Sequence, residues 1–136
     1  MAATLKLEIV TPEAITFSDQ VEMVTLPGVE GEMGIYPQHV PLMTQIVPGE
    51  ILILKGGQPI LLAVGDGFVE ITGDHVSILT DMAIRAENID EAKVEEARRR
   101  AEARLTEKVS KDEEAVLRAA IANSLAQVRV KRRQHR

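Results

Sequence analysis

The sequence predicts an N-terminal antiparallel β-sandwich over residues 1–86, followed by a C-terminal antiparallel two-helix hairpin over residues 87–136. Three observations predict it. Up to about residue 86, apolar and polar residues alternate in short runs closed by Gly, Pro or Asp, the pattern of half-buried strands. From Ala86 onward there is neither glycine nor proline, and Ala, Glu, Arg and Lys dominate. At the same point the apolar period lengthens from two to between three and four. The shift places the domain boundary at Ala86 or Glu87.

Leu5, Leu7 and Ile9 alternate with Lys6 and Glu8, giving a first strand that Thr11-Pro12 ends. Residues 22–26 form a second, broken by Pro27-Gly28. Residues 51–54 and 59–64 face each other across Lys55-Gly56-Gly57-Gln58, where paired glycines accept the backbone of a tight hairpin. Residues 68–72 and 76–79 pair across Gly73-Asp74. Short strands at this spacing build a sandwich or barrel.

In the helical half, Asn88 and Glu91 match a capping box that starts the first helix. Val94, Ala97, Ala101 and Leu105 recur on one face, with Glu95–Arg99 and Glu96–Arg100 as i,i+4 pairs on the other. Ser110 and Glu113 form a second capping box, which ends the first helix near Val109. The second helix carries a stripe of Leu117, Ile121, Leu125 and Val128 beside one of Ala115, Ala119, Ala122 and Ala126. Such a face packs closely but removes little apolar area from water, so docking is weak, while good helix formers and caps keep the helices intact. A hairpin of this kind can be a static brace or a two-state element. Both readings stay open. Helices of about twenty residues are ~30 Å long, so opening would carry the C-terminus a comparable distance.

The 136 residues hold one Tyr, two Phe, no Trp and no Cys, so any core is aliphatic and thiolate or disulfide chemistry is excluded. No stretch is long and apolar enough for a membrane span, and the N-terminus has no signal-peptide layout. The expectation is a soluble, cytoplasmic chain, at most peripheral to a membrane. The net charge is -5, yet residues 129–136 are strongly basic, an asymmetry that suggests an acidic partner.

No catalytic constellation emerges. His39, His75 and His135 have no metal-ligand spacing, no Gly-x-Ser-x-Gly surrounds any serine, and Asp66, Asp74 and Asp81 sit at strand ends where carboxylates serve turns. Gly28, Gly31 and Gly34 lack a following Lys-Ser/Thr, and Glu30 and Glu32 would repel a phosphate, so this segment is a turn between strands. The expectation is no enzyme, no metal and no cofactor.

Residues 30–44, Glu-Gly-Glu-Met-Gly-Ile-Tyr-Pro-Gln-His-Val-Pro-Leu-Met-Thr, closely resemble the Gly-Glu-Leu-Gly-Ile-x-Pro-x-His-x-Pro-Leu-Leu-Thr signature of ATP synthase epsilon subunits. Pro48-Gly49 and residues 65–71 and 76–81 fall where that family has similar segments, and the likeness covers essentially the whole chain. It implies a bacterial relative of the mitochondrial delta and chloroplast epsilon subunits: a non-catalytic rotor part bridging the gamma shaft and the membrane c-ring. It implies that Glu32 faces the ring's polar loops, with His39 near that interface. His39 reads equally well as a loop histidine bonded locally between Pro37 and Pro41. The resemblance further implies that the hairpin folds down on the sandwich or extends along gamma. Extended, it would bring Arg129, Lys131, Arg132 and Arg133 to acidic loops of the alpha/beta catalytic head and brake hydrolysis. The plain alternative for these residues is a solvated terminus.

Some members of that family bind ATP through Ile/Leu-Asp-x-x-Arg-Ala. Here Ile89 and Asp90 match, while Lys93 and Val94 replace the Arg and Ala. Lys93 lacks the planar fork of Arg, and Val94 adds bulk, so weak or absent regulatory ATP binding is expected even with Arg100 assisting. An alternative function is a small β-sandwich binding module with a helical protein-interaction tail.

Overall fold

The structure, a computed structural model, describes residues 3–134; of the basic tail, His135 and Arg136 lie outside the described residues. Ten strands run in chain order: β1 (Leu5–Val10), β2 (Ile15–Val21), β3 (Met23–Gly28), β4 (Gly31–Ile35), β5 (Leu42–Ile46), β6 (Gly49–Lys55), β7 (Gln58–Val64), β8 (Gly67–Thr72), β9 (His75–Thr80) and β10 (Ala83–Arg85). Two helices follow, α1 (Glu91–Leu105) and α2 (Lys111–Gln134). The sandwich and helix hairpin expected from the sequence are thus present. Neighbouring strands lie in the order β10-β7-β6-β3-β5-β8-β9-β1-β2, with β4 beside β3. All described pairings are antiparallel except β1 with β9, where Leu7 faces Val76 and Ile9 faces Ile78. The core between the layers is aliphatic apart from Phe17. Leu7, Ile9, Leu26, Ile53, Leu62, Val69 and Ile78 are fully buried.

Period-two alternation holds in β1 and β3, which alternate buried and half-buried positions along their whole length. It fails in β7, where Leu62, Ala63 and Val64 are all buried. Leu62 faces the core, and Ala63 on the outer face lies under α2, in a small second cluster with Ala86, Ile89 and Val130. A strand covered on both sides reads as a continuous apolar run, which residues 60–64 are.

Strand direction sorts the turns into two ends. Residues 11–14, 29–30, 47–48, 65–66 and 81–82 gather at one end, and residues 36–41, 56–57 and 73–74 at the other. Tight packing at the first end demands glycine. A Cβ on Gly67 would lie 1.9 Å from the Leu79 carbonyl oxygen and 2.8 Å from the Thr80 Cα, both backbone atoms that cannot yield alone. Gly67→Ala is therefore expected to cost about 1–3 kcal/mol by overpacking. Urea denaturation would show a lowered midpoint at unchanged slope.

The helices begin and end differently from the expectation in two places. Asp90, not Asn88, caps α1: its Oδ1 accepts the Lys93 N–H at 3.2 Å, while Asn88 lies in a 3-10 turn over Ala86–Asn88. Asp adds a charge at the positive end of the helix dipole, and its amide partner is within reach. α1 ends at Leu105 because the Thr106 Oγ1–H and N–H both donate to the Ala103 carbonyl oxygen. Ser110 does receive the Glu113 N–H at 3.1 Å, but the Glu113 carboxylate pairs with Arg104 across the turn at 2.7 Å. Glu95 pairs with Arg98 rather than Arg99. Of the expected stripes, Ala101, Ala126 and Val128 are buried, whereas Ala97, Ala115 and Leu125 are exposed. Val130, fully buried against the sandwich, is the central contact.

Candidate functional site

The β3–β4 hairpin places Glu32 opposite Pro27, near a turn where Gly31 takes φ 126°, a conformation favouring glycine. Of residues 28–34, expected as a turn, 31–34 belong to strand β4, because β3 supplies the pairing that their Gly-rich composition does not advertise. Glu32 is exposed and lines a groove of about 380 Å³ with Gly49 and Glu50 on one side and Arg129 and Arg133 of α2 on the other. Burial pushes the Glu50 carboxyl above its ordinary value and the charge of Glu32 pushes the same way, while Arg133 and Arg129 pull it down.

His39 sits at the opposite end of β4 from Glu32, so the structure does not bring these two together. Its Nδ1 lies 2.7 Å from the Val40 carbonyl oxygen, the local bond expected of a histidine between two prolines. Gln38 beside it takes φ 66° and donates its N–H to Asp74 Oδ1 at 2.8 Å, tying residues 36–41 to the β8–β9 turn.

The basic end of α2 is engaged with the rest of the chain. Lys131 Nζ donates to the Ala86 carbonyl oxygen at 3.0 Å, Arg132 Nε to Glu91 at 2.7 Å, and Arg133 to Glu50. The Arg132–Glu91 pair joins the end of α2 to the start of α1, as an antiparallel hairpin requires. Arg132 and Arg133 are more than half exposed, so each pair is a weak restraint. Arg129 is exposed beside this network.

The residues of the nucleotide-like motif serve the hairpin's own structure. Ile89 is buried in the cluster around Val130, and Asp90 is occupied as the α1 cap. Lys93 is exposed, and Arg100, two turns further on, is 3.7 Å from Glu96.

One surface escaped the sequence reading. In register across four adjacent strands, Phe68 faces Leu79, Leu79 faces Val10, and Val10 faces Ile15. Phe68, Leu79 and Ile15 are 58%, 56% and 62% exposed. Further along the same face the rows turn polar: Glu70, Ser77, Glu8 and Ser18, then Thr72, His75, Lys6 and Gln20. The signal was present, since Phe68 shares its outward phase with Glu70 and Thr72. An aromatic there, in a chain with two Phe, has no core to fill. The docked hairpin covers the outer face of β6 and β7 on the other layer and leaves this row open. An apolar row rimmed by polar residues is the composition of a protein-binding face.

Residues 4–86 match the family model described as the ATP synthase, Delta/Epsilon chain, beta-sandwich domain. The ATP synthase epsilon chain of Dehalococcoides mccartyi is 44% identical over 98% of this chain and 97% of its own. That of Desulforamulus reducens is 41% identical over 96% of this chain and 98% of its own. A chain of the Euglena gracilis mitochondrial ATP synthase superposes with a TM-score of 0.75 at 23% identity, covering 91% of this chain and 79% of that one. One from the central stalk and c-ring structure of the Tetrahymena thermophila enzyme gives 0.58 at 11% identity, covering 96% of each. At these identities the two structures establish the shared fold.

Proposed function

The chain belongs to the ATP synthase epsilon-chain family, a non-catalytic subunit of that complex, and from this premise we propose that it couples the gamma shaft to the membrane c-ring and brakes ATP hydrolysis through its C-terminal hairpin. The observation that carries the coupling half is the open row of Val10, Ile15, Phe68 and Leu79, which offers a shaft subunit an apolar face opposite the docked hairpin. Glu30, Glu32, Asp66 and Asp81 lie at the same end of the sandwich and suit basic polar loops of a ring, with Glu32 as a ring contact. His39, at the other end, fits the shaft side or a local structural bond. Among the described residues no helix is long and apolar enough to cross a membrane, which accords with attachment through the complex. A peripheral position on the cytoplasmic face of a bacterial plasma membrane follows from that role.

In the braking half, Arg129, Lys131, Arg132 and Arg133 are the contacts for the acidic loops of the alpha/beta head. The pairing of Lys131 with the Ala86 carbonyl and of Arg133 with Glu50 represents the released, folded-down state. Occupation of Ile89 and Asp90 by structural contacts supports a hairpin that docks without regulatory ATP. The domain division at residues 86–87 is the hinge of this motion.

The coupling face is tested by titrating the chain onto purified gamma subunit. Phe68→Lys is expected to weaken binding by about 10- to 100-fold, equivalent to about 1.4–2.8 kcal/mol. Thr72→Lys, exposed on the polar part of the same strand, should leave it within about threefold. Unchanged binding by Phe68→Lys would place the shaft elsewhere. No gamma binding by the unmodified chain would favour the generic binding module.

A further inference from the structure

The polar contact between the sandwich and α2 is built with unusual closeness. Gly65 N–H donates to the Met82 carbonyl oxygen at 2.9 Å, Asp81 N–H to that of Asp66 at 3.2 Å, and the Thr80 hydroxyl to that of Asp66 at 2.9 Å. These bonds stitch residues 65–66 to residues 81–82 and set two carboxylates, Asp66 and Asp81, side by side. Asp81 then lies over Gly65. A Cβ there would be 1.9 Å from Asp81 Oδ1, 2.9 Å from Asn123 Oδ1 and 3.1 Å from Asn123 Nδ2, so only glycine leaves space for the contact.

Asn123 arrives from α2, just before the buried Ser124 and Ala126. Its amide lies against the Asp81 carboxyl over Gly65, and its own Oδ1 is buried with no hydrogen-bond partner. Toward an ionised carboxylate an amide must turn its N–H, which leaves the carbonyl oxygen without a donor. A protonated carboxyl carries the missing O–H. A buried acceptor left unmade is costly, so the donor has value at this place and little in the undocked chain.

We propose that Asp81 and Asn123 form a proton-operated clasp, in which protonated Asp81 donates to the Asn123 carbonyl oxygen and holds the hairpin on the sandwich, and ionised Asp81 loosens it. The proposal rests on the mobile-hairpin reading given above. Burial pushes the Asp81 carboxyl above its ordinary 3.8, the Asp66 charge adds to the push, and bonds from Asn123 and its own backbone amide only partly offset them. Asp66 is the charged group acting on it from the sandwich, and α2 presents the neutral Asn123. Asp66 acts on Asp81 in the docked and the undocked sandwich alike, so docking takes up a proton through the bond that the protonated carboxyl makes to the Asn123 carbonyl oxygen. The clasp is held below the docked-state midpoint of Asp81 and is lost as pH rises through it. Glu50 is pushed up by burial and pulled down by Arg133 and Arg129 of α2.

The chain has no cysteine, so Gln58→Cys and Lys108→Cys accept paired spin labels on the exposed end of the sandwich and on the α1–α2 connection. Electron–electron distance distributions of the full chain, taken from about pH 7 to about pH 3, read the docked fraction; one linked proton changes the docked-to-undocked ratio by up to about tenfold per pH unit. The docked fraction is expected to rise as pH falls. Asp81→Asn, which supplies an amide donor at every pH, should stay docked with most of that slope gone, whereas Glu50→Gln should keep it. Asn123→Ala should shift the balance toward undocked in acid. A full wild-type slope in Asp81→Asn, or a slope of opposite sign in the unmodified chain, overturns the clasp. One docked distance at every pH would sink the mobile hairpin instead. The clasp is then decided by carbon-13 titration of the Asp81 carboxyl, a midpoint higher in the unmodified chain than in Asn123→Ala supporting it and an equal or lower one overturning it.

Discussion

A chain ending at Glu87 is expected to bind the catalytic complex through gamma and to lose essentially all inhibition of ATP hydrolysis. The two halves have separate cores. Seventeen buried residues of the sandwich form one cluster, and the hairpin adds to a second whose buried members are Ala63, Ala86, Ile89 and Val130, with Leu61, Met82, Ile84 and Val94 partly buried against it. Fully burying one valine is worth about 1.5–3 kcal/mol and each alanine methyl less, so hairpin docking amounts to a few kcal/mol before the ordering of side chains opposes it. Removing α1 and α2 uncovers Ala63, Leu61 and Ile84 but leaves the primary core whole, and the sandwich stays folded. That small docking energy is also the range in which a partner can shift a two-state element. The check is steady-state hydrolysis by an epsilon-free catalytic head with the full chain, with the truncated chain, and with neither. Inhibition by the truncated chain would take the brake away from the hairpin. Binding by both without inhibition would make the hairpin a static brace.

The largest loss of stability is expected from Ile78→Ala, at about 3–4 kcal/mol and a melting temperature lowered by ~10–20 °C. Ile78 is fully buried between Ile9 of β1 and Val69 of β8, on the strand that makes the parallel pairing. Three β-branched side chains, Ile9, Val69 and Ile78, fill that row, and surrounding strands bonded on both edges cannot collapse into the cavity. Leu79→Ala, one residue on and facing outward, should cost no more than about 0.5 kcal/mol, because the side chain is 56% exposed. Thermal unfolding of the two variants side by side separates core from binding face. A comparable loss in both would mean that the open row is packed in the free subunit.

Strand existence was legible where composition declared it. Leu5, Leu7 and Ile9, and the residues either side of Gly56-Gly57, alternate or run apolar between clear turns, and the structure pairs them as expected. β2, β4, β5 and β10 were not foreseen. β2 has a single core aromatic, Phe17, in a polar run, β4 carries two glycines and Glu32, and β10 is three residues long. Each becomes a strand because a neighbour supplies a ladder, a long-range fact that local propensity does not contain. Among the candidate site residues, the segment around Glu32 and His39 was conspicuous as a motif. That its two ends diverge, with Glu32 beside Arg129 and Glu50, and His39 beside the Asp74 turn, depends on β4 being extended.

What the sequence determined by itself is the two-part architecture, the helical register through Ser110, the aliphatic core and the family, all of which rest on period, capping chemistry and a long local motif. What only the tertiary structure decided is which surfaces are covered and which groups meet. It buries Val130 on Ala63, leaves Phe68 and Leu79 open, and brings Asn123 over Gly65 to Asp81 across about forty residues of chain. Periodicity reports which side of an element is apolar, because that is a property of neighbours along the chain. Which other element comes to lie on that side is set by the free energy of the whole packed assembly.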